Sequence, residues 1–296
     1  MKFKTEFKLM NLLSTLGLDG VAWSLRRLHC PVNSKALVLD VGSGGNPYPR
    51  ANVLLDAYEE TFERYHSKLV KDRPLVYGLV ENMPFKDKCF DFVIASHVLE
   101  HVSDPAAFLS ELMRVAKAGY IETPDAFIER LIPFRFHRLE VTERNDRLVI
   151  YKKSSWRPHA EIVDLFEKKA KNRYFIELMQ RHPKSFYMRY YWSERIDYEI
   201  VNPDASADWP HPPVVAEDYV GQKLTIRRYL TQFLRFCFSQ NRRNGSLDIV
   251  PLLRCTSCHG RELSRQEDCL HCLKCGSKFP VRNGIPVMNE RLTETT

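Results

Sequence analysis

The apolar residues of positions 36–124 gather in short unbroken runs: KALVLDVG, NVLLDAY, LVYGLV, FDFVIASH and GYIETP. Runs of this length without alternation fit strands buried on both faces. Between the last two, residues 105–117 place Phe108, Leu112 and Val115 at i, i+4 and i+7, with Leu109 and Met113 widening the stripe. That spacing predicts an amphipathic helix. Strands alternating with helical stretches predict an α/β fold, a parallel sheet with helices on both faces.

Past residue 124 the pattern changes. FHRLEVTERNDRLVIYKK predicts two strands around a polar turn at 143–146, and 161–180 predicts a helix. FYMRYYWSERIDYEIVN predicts another strand pair turning near 193–195, a hairpin suited to close the sheet edge. At the front, Phe3, Phe7, Met10 and Leu13 fall at helical spacing and predict a capping helix. NPDASADWPHPP (202–213) reads as a linker or surface loop, and a basic, aromatic helix is expected over about 216–241. From Leu247 a compact cysteine module takes over. The expected organisation is therefore N-terminal capping helices at 1–35 and a main domain at 36–202, with core motifs at 36–124 and a substrate-side region at 125–202. A linker and basic helix follow at 203–246, and the cysteine module at 247–296.

Composition narrows the class. Hydrophobic residues at 44% and charged residues at 27% of 296 are the balance of a soluble globular protein with ample core. The net charge of +7 leaves nucleic acid, acidic lipid surfaces and anionic substrates open as partners. Lys2, Lys4, Glu6 and Lys8 interrupt any secretory apolar region, and no apolar run approaches the ~20 residues of a membrane span. A cytoplasmic location is expected, which also suits cysteines kept as thiols.

The strand entering Gly42-Ser43-Gly44-Gly45 fits a cradle for a phosphate or nucleoside, with the amides of a following helix N-terminus available. Asp56 ends the next strand, where a carboxylate can accept both hydroxyls of a ribose. Pro47 stands where a dinucleotide fold would carry its third glycine, which disfavours pyrophosphate and leaves a nucleoside without phosphate.

In order and spacing, VLDVGSGG, VLLDAYEE, GLVENMPF, FDFVIASHVLEHVSDP and YIETP resemble the motifs of class I methyltransferases of the type 11 group, over about residues 35–125. The resemblance implies a Rossmann-like sheet and S-adenosylmethionine as cofactor. It places Gly42 and Gly44 in the cofactor turn, Asp40 as the strand-end acid, Asp56 on the ribose, and Glu81, Asn82 and Ser96 among the cofactor contacts. Two positions depart from the pattern: Asn46 replaces a glycine, and Leu79 stands where an aspartate usually reads the adenine, a role Glu81 or a backbone carbonyl could take.

Methyl transfer is an in-line displacement, and a hydroxyl acceptor also needs its proton removed. The resemblance puts ASHVLEHV at the mouth of the cofactor cleft, so His97 and His101 are the catalytic candidates, with Glu100 beside them. Glu100 and His101 equally suit a capping or packing role, and His137 reads as a surface-strand histidine. The [DNS]-P-P-Y motif that holds planar nitrogens is replaced by Ala95-Ser96-His97-Val98. Oxygen, carbon or sulfur acceptors are therefore favoured over base or amide nitrogen. The acceptor class stays open among a small molecule, a glycan or lipid intermediate, and RNA.

Cys255-Thr-Ser-Cys258 and Cys272-Leu-Lys-Cys275 have the spacing of a closed tetrahedral zinc site, and Gly260 and Gly276 follow the two pairs closely, suiting tight turns whose amides point at the sulfurs. Cys269, His259 and His271 read as bystanders. The tail LHCLKCGSKFPVRNGIPVM resembles the Trm112-type zinc ribbon, a family whose separate members activate methyltransferases; joined in cis, it implies a stabilising, β-rich, structural module. In the basic helix, Lys223, Arg227, Arg228, Arg235, Arg242 and Arg243 alternate with Tyr229, Phe233, Phe236 and Phe238. Inward aromatics with solvated arginines are one reading, and RNA contact another. The main alternative function is a non-catalytic methyltransferase fold serving as a scaffold for a partner or RNA.

Overall fold

The computed structural model describes residues 7–61, 67–210 and 226–289. In chain order the elements are α1 (Lys8–Thr15), α2 (Asp19–Leu25), β1 (Val38–Val41), β2 (Val53–Asp56), β3 (Leu75–Tyr77), β4 (Phe92–Ser96), α3 (Pro105–Val115), β5 (Ala118–Pro124) and α4 (Ala126–Leu131). They continue with β6 (Leu139–Arg144), β7 (Arg147–Lys152), α5 (Ala160–Lys169), α6 (Arg173–Arg181), β8 (Tyr187–Ser193) and β9 (Tyr198–Ile200). The last are α7 (Ile226–Phe238), α8 (Asn241–Gly245), β10 (Leu263–Gln266), β11 (Cys269–Cys272), β12 (Lys278–Arg282) and β13 (Ile285–Pro286).

The main sheet runs β3-β2-β1-β4-β5-β8, with β1–β2 and β2–β3 parallel. Every residue of β1, β2, β3 and β5 is buried, as the unbroken apolar runs require. This is the Rossmann-like α/β fold expected. One detail differs: no helix intervenes between β1 and β2 or between β3 and β4. Pro47 and Pro49 remove two backbone donors from the first connection, which a helix could not tolerate there. The glycine turn therefore has no helix N-terminus behind it.

Other local expectations are refined. The single helix at 161–180 is two, because Asn172 leaves the helical path and caps α6 by accepting the Phe175 amide at 3.0 Å. β6 and β7 form the expected hairpin, with Asn145 and Asp146 both left-handed at φ 56° and 61°, as a tight two-residue turn demands. β8 and β9 do not form a hairpin. β8 joins the main sheet, whereas β9 runs parallel to β7 in a separate sheet of order β6-β7-β9. The start of the expected linker is docked: Arg138 Nη1 donates to the carbonyls of Ala207 and Trp209, and the Trp209 indole donates to Lys153 O at 3.1 Å.

Contacts gather the chain into two compact units, Met1–Pro31 with Ala95–Pro105 and Tyr120–Pro213, and Val32–Ile94 with Ala106–Gly119 and Val214–Thr296. In the second unit the cysteine module is joined to the glycine-turn half of the sheet. Val287 bridges Tyr77 of β3 in parallel, and Leu253 bridges Phe85. Val287 completes an apolar cluster with Ala51, Leu54, Leu75 and Tyr77. Glu111 ties the two regions electrostatically, facing Arg114 and Arg254 while accepting the Met83 amide at 2.6 Å.

The basic helix reverses its expected orientation. Phe233, Phe236 and Phe238 are exposed, whereas Arg235 pairs with Asp72 at 3.2 Å and Arg243 donates to the carbonyls of Ser34, Lys35 and Ala36. Phe3 and Lys223 lie outside the described residues, and only the backbone of Arg227, Arg228 and Tyr229 is described.

Buried Asn52 pins α8 to the sheet. Its carbonyl accepts the Val38 amide at 3.0 Å, and its amide donates to Gln240 and Asn244 at 3.0 and 2.8 Å. Asn52→Ala leaves these groups unpaired in the interior and is expected to cost about 2 kcal/mol in chemical denaturation.

Candidate functional site

The glycine turn is built by backbone conformation and carboxylates. Gly42 and Gly44 sit at φ 60° and 55°, a region costly for any residue with a Cβ. Asp40 accepts the Tyr48 amide at 2.7 Å, closing the loop after β1. Asp56, 7% exposed at the tip of β2, accepts the Gly44 amide at 2.9 Å and the Tyr58 amide at 3.3 Å. Gly45 serves a different purpose: a Cβ there would lie 2.0 Å from Ser67 Oγ, so residues 67–70 close on the turn. The Ser43 hydroxyl is buried with no hydrogen-bond partner.

These features fit a nucleoside cofactor: an inward carboxylate for a diol, a bare backbone for close approach, and an orphan hydroxyl to be satisfied. Around the adenine side the expected groups divide. Glu81 lies in the turn after β3, but the Asn82 amide is committed to the Thr256 carbonyl at 3.0 Å, because the cysteine module abuts that turn.

A second cluster forms at the end of β4. His97 has φ 59°, which turns its ring between two carboxylates: Nδ1 lies 3.1 Å from Glu100 Oε1 and Nε2 lies 3.3 Å from Glu122 Oε1. Ser96 Oγ donates to the same Glu122 oxygen at 3.2 Å, so its hydroxyl belongs to this cluster. Glu122 is fully buried, gripped by Arg26 through bonds of 2.6 and 2.7 Å and bonded by the Tyr120 hydroxyl. Burial would raise the Glu122 acid, but Arg26 and then His97 hold it well below the usual carboxylate range. Arg189 completes the wall, lying over Trp23, Tyr120 and Tyr191.

Burial pulls the His97 imidazole down, and the carboxylates of Glu100 and Glu122 outweigh it, leaving His97 raised to about 9. The two carboxylates favour the charged ring of His97 near pH 7, in which both ring nitrogens donate. Its side chain is 41% exposed, so water screens part of this pull. With a folded value above the usual 6.5, its stabilising effect is full below pH 6.5 and fades as pH rises through 9. NMR titration of His97 Hε1 is expected to give an apparent pKa near 9 that falls in Glu100→Gln; a native value near 6.5 would contradict the pairing.

His101 sits one turn on, its ring 4.7 Å from that of His137 in an edge-on contact. His137 is buried, not on the surface as expected, with Nδ1 2.8 Å from Glu129 Oε2. The residues the sequence reading missed are Arg26, Tyr120, Glu122 and Arg189. The one local signal was a charge inside YIETP, a strand otherwise built for full burial.

The four cysteines converge. Cys255 and Cys275 sulfurs lie 3.7 Å apart, and Cys258 and Cys272 sulfurs 3.6 Å. Tetrahedral zinc with bonds of ~2.3 Å needs sulfurs ~3.8 Å apart, so the set fits. The Gly260 amide points at Cys258 Sγ at 3.4 Å, as expected, but the Gly276 amide donates to the Cys272 carbonyl. The Ser277 hydroxyl holds the Cys275 thiol down to about 6, while Cys275 drives Cys258 up to about 12. A metal ion held by the four sulfurs would take the place of their thiol protons, which would make its uptake pH-dependent.

Residues 39–121 match the Methyltransferase domain family model. The chain is 38% identical over 88 residues to the ubiquinone/menaquinone biosynthesis C-methyltransferase UbiE of Xylella fastidiosa, covering 28% of this chain and 35% of that protein. The chain thus spans about a third of the length of that relative. Among solved structures, an S-adenosylmethionine-dependent methyltransferase of Thermotoga maritima is 21% identical, over 40% of this chain and 55% of that one, with a TM-score of 0.28. A chain from the complex of the Haloferax volcanii Trm112 methyltransferase activator with a methyltransferase is 16% identical, over 48% of this chain and 79% of that one, with a TM-score of 0.30. Strand order, glycine turn, strand-end carboxylate and family match together give residues 39–121 the features of a methyltransferase domain.

Proposed function

We propose that the chain methylates a carbon or oxygen acceptor with S-adenosylmethionine, and that zinc in its four-cysteine module stabilises the cofactor half in cis. The observation that carries this reading is Asp56, an inward carboxylate at the tip of β2 held against the Gly44 amide. When bound, the sulfonium supplies a methyl activated for in-line displacement. Asp56 accepts the ribose hydroxyls, Gly42 and Gly44 allow close backbone approach, Ser43 offers a hydroxyl, and Glu81 takes the adenine side in place of the aspartate replaced by Leu79.

On the acceptor side, the His97 imidazolium and the Arg26–Glu122 pair form a rigid charged floor beneath Trp23 and Tyr187, whose rings are 5.6 Å apart. A cavity of about 290 Å³ lined by Trp23, Tyr187, Met188, Arg189, Asp125, Glu143 and Lys184 lies in the same unit. Its aromatic walls, with Arg189 and Lys184 set against Asp125 and Glu143, suit a flat acceptor carrying polar groups. With no neutral base at His97, an acceptor already nucleophilic at its reacting atom is favoured, which agrees with a C-methyltransferase among the relatives.

The Trm112-like character of the module belongs to this reading, since its strand order β10-β11-β12-β13 and its sulfur cage suit a ribbon. The test is incubation of the chain and labelled S-adenosylmethionine with cell extract. Label is expected in the organic-extractable fraction; label wholly in nuclease-sensitive RNA would replace the acceptor assignment, and no transfer at all would favour the scaffold.

A further inference from the structure

Among the described residues a second set of metal-ligating atoms converges, far in chemistry from the cysteines: Glu100, His101 and His137, whose donor atoms all lie within 4.8 Å of one another. Glu100 and His101 share the short helical turn after β4, and His137 enters just before β6. The Arg138 amide donates to the Glu100 carbonyl at 2.6 Å, which fixes the two segments side by side.

Two of the three donors are prepared for a cation. Glu100 is 1% exposed; Oε1 faces His97, while Oε2 is buried with no hydrogen-bond partner. A solitary carboxylate oxygen in the interior is costly unless something positive meets it. His137 Nδ1 lies 2.8 Å from the carboxylate of Glu129, whose other oxygen holds the buried Lys153 ammonium at 2.8 Å. Glu129 is the acceptor of that bond, so Nδ1 carries its proton and Nε2 is the nitrogen that the neutral ring can offer to a metal. A carboxylate fixing the far nitrogen of a histidine is the outer arrangement that orients imidazoles on metals. Phe134 stacks on the same ring at 4.7 Å and holds its plane.

We propose that Glu100, His101 and His137 form a second metal site, which takes a divalent first-row transition ion. Two imidazoles and one carboxylate select zinc, manganese, iron or cobalt over magnesium or calcium. Bonds of ~2.1 Å require donors ~3–3.5 Å apart, so the present set closes by about an ångström through small side-chain rotations. Three protein ligands leave positions for water or an oxygen of the acceptor, whereas the four-cysteine cage is closed. The inference stands independently of the methyl-transfer reading.

The experiment uses the full-length chain carrying one zinc in its cysteines, titrated with Co²⁺ and followed by absorption and elemental analysis. Uptake of a second ion per chain is expected, with weak d–d bands and no thiolate charge-transfer band. Glu100→Gln, which keeps shape and volume, and His137→Gln are each expected to weaken that uptake at least 100-fold while the zinc content stays at one. A native chain that takes up no second ion would overturn the site, and this reading needs no variant to fold. A nitrogen–oxygen cobalt spectrum unchanged in both variants would overturn it too, by placing the ion on surface histidines.

Discussion

S-Adenosylhomocysteine is expected to bind the native chain with micromolar Kd, and Asp56→Ala to weaken it by about three orders of magnitude. The size follows from two charge-assisted hydrogen bonds to the ribose, each ~1.5–3 kcal/mol, which together come to about 4 kcal/mol. Asp56 also accepts the Gly44 and Tyr58 amides, so its removal loosens the turn as well as the diol contact. Asp56→Asn separates these effects, since an amide oxygen can still accept one of the two backbone donors. Calorimetry with thermal melts in parallel is the measurement. Absence of heat from the native chain at millimolar ligand would refute cofactor binding, and an unimpaired Asp56→Ala would refute the role of the carboxylate.

Cys255→Ser is expected to lose the module's zinc and to lower Tm by at least about 10 °C, because structural zinc contributes its binding energy to folding. The damage should reach the cofactor turn although Cys255 lies in the module. Next to it, the Arg254 amide donates to Pro84 O at 3.0 Å and the Lys86 amide to Leu252 O at 2.8 Å, and further on the Met288 amide donates to Tyr77 O at 2.7 Å. These bonds and the Val287 cluster buttress β3 and the turn that follows it. Weaker S-adenosylhomocysteine binding in Cys255→Ser, and in native chain stripped by a strong chelator, is the expected companion result. A metal-free variant with unchanged melting would show that the cysteines do no structural work.

The strands, the glycine turn and the cysteine pairs were legible because each is written in local spacing. β1 to β5 appear where unbroken apolar runs stand, and Asp56 ends β2 as its place in VLLDAY required. The single helix expected at 161–180 failed at Asn172, whose side chain competes for backbone amides and prefers the cap. The supposed hairpin of β8 and β9 failed because apolar alternation does not say which neighbour a strand pairs with. Exposed Phe233, Phe236 and Phe238 opposed the usual inward reading, since Arg235 and Arg243 found partners on the sheet domain.

The charged network at His97 shows the limit most clearly. Arg26 and Glu122 are 96 residues apart in sequence, and nothing in either segment names the other. By itself, the sequence determined the order of buried strands, the two left-handed glycines beside a strand-end acid, and a four-sulfur cage, since covalent spacing alone brings those groups within reach. Only the tertiary structure decided that His97 lies between two buried carboxylates, that the cysteine module braces β3, and that Glu100, His101 and His137 meet. Those outcomes depend on burial and on pairing between distant segments, where desolvation makes each charge seek its complement.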